Sequence, residues 1–373
     1  MTPVHIGINA LYLIPGGVGG SETYLCNLIG ALAALDSPHS FTIFVNRETG
    51  QDLLPQHPRW QLVQAPIRAV NRPSRLLYEQ FVMPFRCRGL NVLFCPGFTS
   101  PAVSSCPTVT TIHDLQHKRH PEYFRWFEHP FWRFFIWQAV HTSRRLVAVS
   151  DVTRADLLRY YSVDRDKVAV VWHGTEEQFF AVGRRRAGRP LEPILLCPST
   201  THPHKNHALL LSAFQRLSAA HPEWKLVLSG VRGFADSAVR ERVAVLGLES
   251  RVQILGWLPR SELYGWFERA AAVVYPSTFE GFGLPVVEAL AAGVPVACSD
   301  IEPLRTVAGD AALLFDATSI DSLYDALSRL ITDASLRERL ARAGPLRAAQ
   351  FTWRRCAEET LALLESAAPT PRS

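Results

Sequence analysis

Short runs of β-branched and other apolar residues alternate along the chain with longer stretches in which apolar positions recur every three or four residues. VHIGINAL (4–11) leads into TYLCNLIGALAAL (23–35) and then into SFTIFVN (40–46). Continuous apolar runs read as strands buried on both faces, and helical spacing between them supplies the crossovers that parallel neighbours require. Further strands are expected at VLFC (92–95), TVTTIHD (108–114), RLVAVS (145–150) and VAVVWHG (168–174). The rhythm breaks over VGRRRAGRPLEP (182–193), where Gly, Pro and four Arg without apolar periodicity read as a solvated linker. It restarts with strands at PILLCPS (193–199), WKLVLSG (224–230), VQILGW (252–257), AAVVYPS (271–277) and VPVACSD (294–300), with helices over 206–220, 236–247 and 285–292. The expected class is α/β. A Rossmann-like domain over 1–181 and a second over 194–350 would face each other across a cleft, with ligands at the carboxyl ends of the strands. FTWRRCAEETLALLESAA (351–368) reads as an amphipathic helix, and the closing PTPRS as a frayed end.

Composition narrows the class. With 373 residues, 47% of them hydrophobic and 20% charged, the chain can fill two packed cores, and a formal charge of +5 is too small for a dedicated nucleic-acid binder. The charge is uneven: residues 1–190 carry 21 basic and 14 acidic side chains, against 18 and 20 in 191–373. The first half should therefore face something anionic. Seven scattered cysteines without a C-x-x-C pair suggest neither a disulfide framework nor a zinc ribbon. The start of the chain lacks a basic region ahead of its apolar run, and no segment has the length of a membrane span. A cytoplasmic protein is expected, with a peripheral place at the inner face of the membrane kept open.

The chemistry concentrates in a few loops. Ser277 to Ala289, STFEGFGLPVVEA, follows a strand and enters a helix: Pro285 suits a first helical turn, and Gly281 and Gly283 let backbone approach a ligand. Exposed amides and the positive helix end suit phosphate or sugar hydroxyls, and Glu280 and Glu288 can address two parts of one extended ligand, a sugar and a ribose diol. This stretch resembles the retaining glycosyltransferases of family 4, whose two-domain architecture is called GT-B. The carriers of the resemblance are the two glutamates with seven residues between them and the core EGFGLP. It implies a metal-independent transferase that moves a sugar, mannose among the candidates, from a nucleoside-diphosphate sugar to a glycan or lipid-linked saccharide acceptor. Phe282, Gly283, Leu284 and Glu288 would bind the donor nucleotide, and Glu280 would hold the donor sugar.

Other stretches fit the same resemblance. PGGVGGSET (15–23) opens the first helix, with Ser21 or Gly20 as cap, and by resemblance Gly19 and Gly20 would lie against the donor diphosphate. Lys205, in STTHPHKNH (199–207), is placed to neutralise the departing diphosphate; Thr200 stands where the family usually has an Arg. His202, His204 and His207 lack a carboxylate or cysteine at ligand spacing, and no Asp-x-Asp motif is read that would hold Mg²⁺, so no metal is expected. His113, ending a strand, would sit beside the transferring sugar, with Asp114 orienting the loop. Leu258, in GWLP (256–259), would contact the base through its backbone. Phe124 to Val140 holds eight aromatics interrupted by Pro130. It reads as packing or acceptor lining ahead of a membrane-surface helix. A sugar-nucleotide epimerase and a non-catalytic sugar-nucleotide binder are the rivals. An NAD-dependent dehydrogenase is disfavoured because no acidic residue about 20 positions after Gly20 follows a second strand.

Overall fold

The computed structural model describes residues 3–126 and 128–369. Phe127, inside the aromatic stretch, and the last four residues of PTPRS lie outside them. The chain divides into two compact units, Met1–Gly174 with Trp353–Ser373, and Thr175–Thr352.

The first unit is built on seven parallel strands: β1 (His5–Asn9), β2 (Ser40–Val45), β3 (Trp60–Gln64), β4 (Val92–Cys95), β5 (Thr108–Ile112), β6 (Arg145–Ala148) and β7 (Val168–Val170). Their order is β3-β2-β1-β4-β5-β6-β7, so the winding reverses beside β1. The helix Trp353–Ala367 packs against the helix Gly20–Ala33 that follows β1. Trp353, Cys356, Ala357, Thr360 and Leu364 are its buried face, and Glu365 Oε1 lies 2.7 Å from Nε2 of the buried His39.

The second unit has six parallel strands: β8 (Glu192–Pro198), β9 (Lys225–Ser229), β10 (Val252–Gly256), β11 (Ala270–Tyr275), β12 (Val296–Ser299) and β13 (Leu313–Phe315). The order β10-β9-β8-β11-β12-β13 puts its reversal between β8 and β11, where Leu196 lies opposite Val273. Connections leaving adjacent strands to opposite sides open a crevice at such a point. The segments holding Lys205 and Glu280 leave these two strands.

Two edge strands escape the sequence reading. β3, WQLVQ, alternates polar residues because an edge strand buries less, and β13 spans three residues. The expected linker is a correction. Residues 182–186 end the helix Glu177–Arg186, and 192–193 begin β8. Phe179 packs edge-on to Phe267, with ring centroids 5.1 Å apart. Arg186, far from solvated, is buried and donates to the carbonyls of Gly293 at 2.5 Å and Ala270 at 2.6 Å. An arginine whose two terminal nitrogens donate to backbone oxygens can be interior, which composition does not reveal. The expectation that the aromatic stretch packs inward is corrected. Pro130 does not interrupt the helix His129–Thr142 but sits in its first turn, and the inward face is Ile136, Gln138, Ala139 and Val140. Among the described residues no two cysteines are joined in a disulfide. Among the described residues no helix is long and apolar enough to cross a membrane.

Candidate active site

The expected residues fall in two groups, one in each unit. In the second unit, β8 runs into a short turn, Pro203–Lys205, and Asn206 adopts φ 57°, a left-handed conformation that asparagine tolerates. Its side-chain Nδ2 donates to Ala317 O at 2.9 Å, fixing the start of the helix His207–Ala220. The turn is tied to the loop after β11. The Thr278 amide donates to His204 O at 2.7 Å, and the hydroxyls of Ser277 and Thr278 donate to the same oxygen at 3.1 and 3.2 Å. Lys205 and Glu280 are thereby brought together: Lys205 Nζ stands 2.5 Å from Glu280 Oε1 and donates to the Tyr275 hydroxyl at 2.8 Å. Both charged side chains are largely buried, at 12% and 10% exposure. Burying a lysine–glutamate pair gains little stability, because desolvation offsets the attraction, so such a pair at strand ends points to chemistry. Burial first, and then the Glu280 charge, pushes the Tyr275 phenol well above its ordinary range, so it stays a neutral donor.

The loops around this pair close on each other through backbone. A Cβ at Gly230 would lie 2.4 Å from Ser199 O, and the Gly230 amide donates to Gly256 O at 2.8 Å. Leu258 follows as a half-buried residue beside the exposed Trp257. Gly283 has φ 105°, and a Cβ there would meet Leu304 Cδ2 at 2.4 Å, so this position requires glycine on two counts. The helix Leu284–Ala291 starts directly after it with Pro285 in its first turn, and its cap offers no side-chain acceptor. Phe282 turns its ring inward, 5.8 Å from that of Phe351, so its side chain is core and only its backbone can serve a ligand.

Glu288 lies one turn into this helix and is buried. Burial raises its pKa above the ordinary carboxylate value, against the pull of Arg260, whose Nη2 is 2.8 Å from Glu288 Oε1. Arg260 also pairs with Glu176, which accepts the Tyr264 hydroxyl, and its guanidinium lies 5.2 Å from the Phe179 ring centroid. Sequence reasoning missed Arg260, Glu176 and Tyr264. The available signal was the place of Arg260, directly after GWLP at the start of the helix Arg260–Arg269. The three histidines near Lys205 diverge: His207 Nε2 is 3.1 Å from Ser199 Oγ, and burial pushes its pKa down to about 4, whereas His202 stacks on His204.

In the first unit, Gly19 rather than Ser21 or Gly20 is the cap of the helix Gly20–Ala33, with φ 60° and ψ −128°. A Cβ there would meet no atom within 4 Å, so the turn is open on that side. Glu22 takes the Gly16 amide with both carboxylate oxygens, at 3.0 and 2.9 Å, removing one donor from the loop. His113 follows β5 and is buried; its Nε2 is 2.8 Å from Pro96 O, and its ring lies against those of Tyr24 and Phe98. That bond places the ring proton on Nε2 and leaves Nδ1 as the acceptor. Burial pushes the imidazole down to about 4, so it is neutral at pH 7. Asp114 accepts the Gln116 amide at 2.9 Å, which orients the loop.

The reading that the chain has no Asp-x-Asp motif is corrected: the sequence holds one such triplet, Asp164-Arg165-Asp166. It belongs to the turn before β7, at the amino end of that strand, where the Asp166 carbonyl accepts from Arg145. Among the described residues no group of three or more His, Cys, Asp or Glu could hold a metal ion.

Comparison with known proteins matches both halves. The sequence profile of Glycosyltransferase Family 4 matches residues 18–179, and that of Glycosyl transferases group 1 matches 184–347. O-antigen chain mannosyltransferase B of Escherichia coli is 29% identical, over 68% of this chain and 68% of its own. MMP alpha-(1->4)-mannosyltransferase of Mycolicibacterium hassiacum is 30% identical, over 73% of this chain and 68% of its own. Sucrose-phosphate synthase of Thermosynechococcus elongatus superposes with a TM-score of 0.78 at 20% identity, covering 97% of this chain and 98% of that one, which shows the fold, GT-B. With profiles matched along both units and a relative 30% identical over two thirds of its length, the chain belongs to glycosyltransferase family 4 and is a glycosyltransferase.

Proposed function

We propose that this enzyme transfers a sugar, mannose in our reading, from a nucleoside-diphosphate sugar to a glycan or lipid-linked saccharide acceptor, with retention of configuration and without a metal. The observation that carries it is the Lys205–Glu280 pair between β8 and β11, bonded to Tyr275 and flanked by the Gly283 turn. Mannose is proposed because the two relatives above are named mannosyltransferases. Lys205 is assigned to the diphosphate, Glu280 to the donor sugar hydroxyls, and Glu288 to the ribose diol. The backbone of Leu258 is assigned to the base, and Gly283 and Leu284 to the phosphates. His113, Gly19 and Gly20 keep the roles the family resemblance gives them. In the transfer step an acceptor hydroxyl oxygen forms a bond to the anomeric carbon on the face the diphosphate leaves. The carbon–oxygen bond to phosphate breaks, and a phosphate oxygen takes the hydroxyl proton. A fixed ammonium and helix-end amides stabilise the developing negative charge without reorganising, which lowers the barrier for the leaving group.

A thermal-shift panel of UDP, GDP and ADP sugars selects the donor, since a ligand that binds only the folded state raises the melting temperature. With that donor, Glu280→Gln and Lys205→Ala should each lower transfer at least about tenfold, roughly 1.4 kcal/mol, in proteins that remain folded. NMR of the product reads the anomeric configuration. Near-normal turnover in both variants overturns the site.

A further inference from the structure

Glu288 belongs to a chain of paired charges of which the transfer step uses only one end. A single arginine nitrogen, Nη2 of Arg260, lies 2.8 Å from Glu288 Oε1 and also donates to Glu176, and Glu176 in turn takes the Tyr264 hydroxyl. The members come from three elements: Glu176 precedes the helix Glu177–Arg186, Arg260 and Tyr264 lie on the helix Arg260–Arg269, and Glu288 lies on the helix Leu284–Ala291. The guanidinium also stands beside two rings, 5.2 Å from the Phe179 centroid and 5.8 Å from that of Tyr264. Arg260 occupies Oε1 of Glu288, and among the described residues no donor reaches Oε2. The helix of Glu288 packs on the helices Glu177–Arg186, Leu304–Ala308 and Ala334–Ala348 and on β11 and β12. Besides Arg260, the titratable groups near Glu288 are Glu176 and, on β11, Tyr275. Of the arginines on the other elements, Arg186 turns to the Ala270 and Gly293 carbonyls, Arg305 to Asp300, and Arg347 to the Thr306 and Val307 carbonyls.

On the reading that Glu288 binds the ribose diol, we infer that Arg260 is a positioning residue for the donor: it keeps Glu288 ionised and fixes its carboxylate so that both diol hydroxyls can donate to it. An ionised carboxylate only accepts, with about four lone-pair sites, of which Arg260 takes one; a protonated carboxyl instead presents a donor to two hydroxyls that themselves donate. Without Arg260, Glu288 would be a buried carboxylate beside the charge of Glu176, and burial and like charge both favour taking up a proton. Glu176 and the two rings hold the guanidinium in place before a nucleotide arrives, so binding does not have to order it.

Calorimetric titration of the full chain with UDP, GDP and ADP tests this, followed by the 2′,3′-dideoxy form of the one that binds. Wild type should prefer the ribonucleotide at least about tenfold, which checks the assignment of Glu288 separately. Arg260→Met should lower affinity for that ribonucleotide at least about tenfold relative to wild type at about pH 6.5, and the deficit should shrink several-fold towards about pH 9 as the carboxyl gives up its proton. Because one nitrogen makes both contacts, a lysine ammonium can replace it, and Arg260→Lys should bind within about threefold of wild type at every pH. An arginine with a merely structural role would leave a deficit that pH does not change. Should Arg260→Met fail to fold, Arg260→Met with Glu176→Gln leaves only one carboxylate unpaired and should show the same pH-dependent deficit. Full affinity in Arg260→Met, a deficit independent of pH, or an Arg260→Lys protein no better than Arg260→Met overturns the inference while the preference for ribose stands. Equal binding of the ribo and dideoxy forms by wild type overturns the assignment of Glu288, and the role of Arg260 with it.

Discussion

His113 shows how one residue's surroundings become a property of the enzyme. Its ring is buried against Tyr24, Phe98 and His173, and its Nε2 is satisfied by Pro96 O, so it stays neutral where a free imidazole would titrate. A histidine with a folded pKa of about 4 against 6.5 unfolded binds fewer protons folded than unfolded between those values. Stability from this group is therefore complete above about pH 6.5 and falls as the pH drops towards 4, by up to roughly 3 kcal/mol. His113→Gln, which keeps a donor for the carbonyl but cannot titrate, should flatten that part of the denaturation midpoint against pH, measured from pH 7 to 4. An undiminished slope would assign the acid sensitivity to other groups. The sequence made His113 visible as a polar residue ending an apolar strand, but not its carbonyl partner 17 positions away. The same limit hid Arg260, whose carboxylate partners Glu176 and Glu288 are 84 and 28 positions distant.

At the scale of elements, the strand, glycine loop and helix unit after β11 was legible because its parts are consecutive. Gly283 is its most demanding position, with φ 105° and Leu304 Cδ2 at 2.4 Å from any added Cβ. Gly283→Ala should cost about 2 kcal/mol or more, from left-handed backbone strain plus the overlap. It should also lower transfer, since the same turn aims Glu280 and the helix amides. Adding Leu304→Ala relieves the overlap but not the strain, so urea titration of the double variant should recover none of the backbone part. A Gly283→Ala protein as stable and as active as wild type would contradict this account. The helix Glu177–Arg186 shows the opposite case. Its arginine-rich sequence reads as linker, and the carbonyls that bury Arg186 come from Ala270 and Gly293.

For the whole molecule, the chain leaves the first unit at Gly174 and returns to it at Trp353. The returning helix supplies a buried face to the helix Gly20–Ala33, and Trp353 lies near Tyr24 and His173, with ring centroids 6.1 and 5.9 Å away. Ending the chain at residue 352 should uncover that face and destabilise the first unit selectively. Calorimetry of the truncated chain should show the transition of the first unit lowered by about 10 °C or lost, with that of the second largely retained. A single unshifted transition would show that the helix contributes little.

What the sequence determined by itself was local and periodic: the alternation of apolar strands with helices, the two-unit α/β class, and the loops that carry Lys205, Glu280 and Gly283. Each of these depends on residues within about a dozen positions, where spacing alone fixes geometry. Only the tertiary structure decided which charges are buried and which apolar residues stay exposed. Arg186 is interior, Arg260 bridges two carboxylates, and Phe134 and Trp137 face outward. The reason is physical: burial and partnership are set by whatever element arrives from elsewhere in the chain, and no local pattern encodes which one that is.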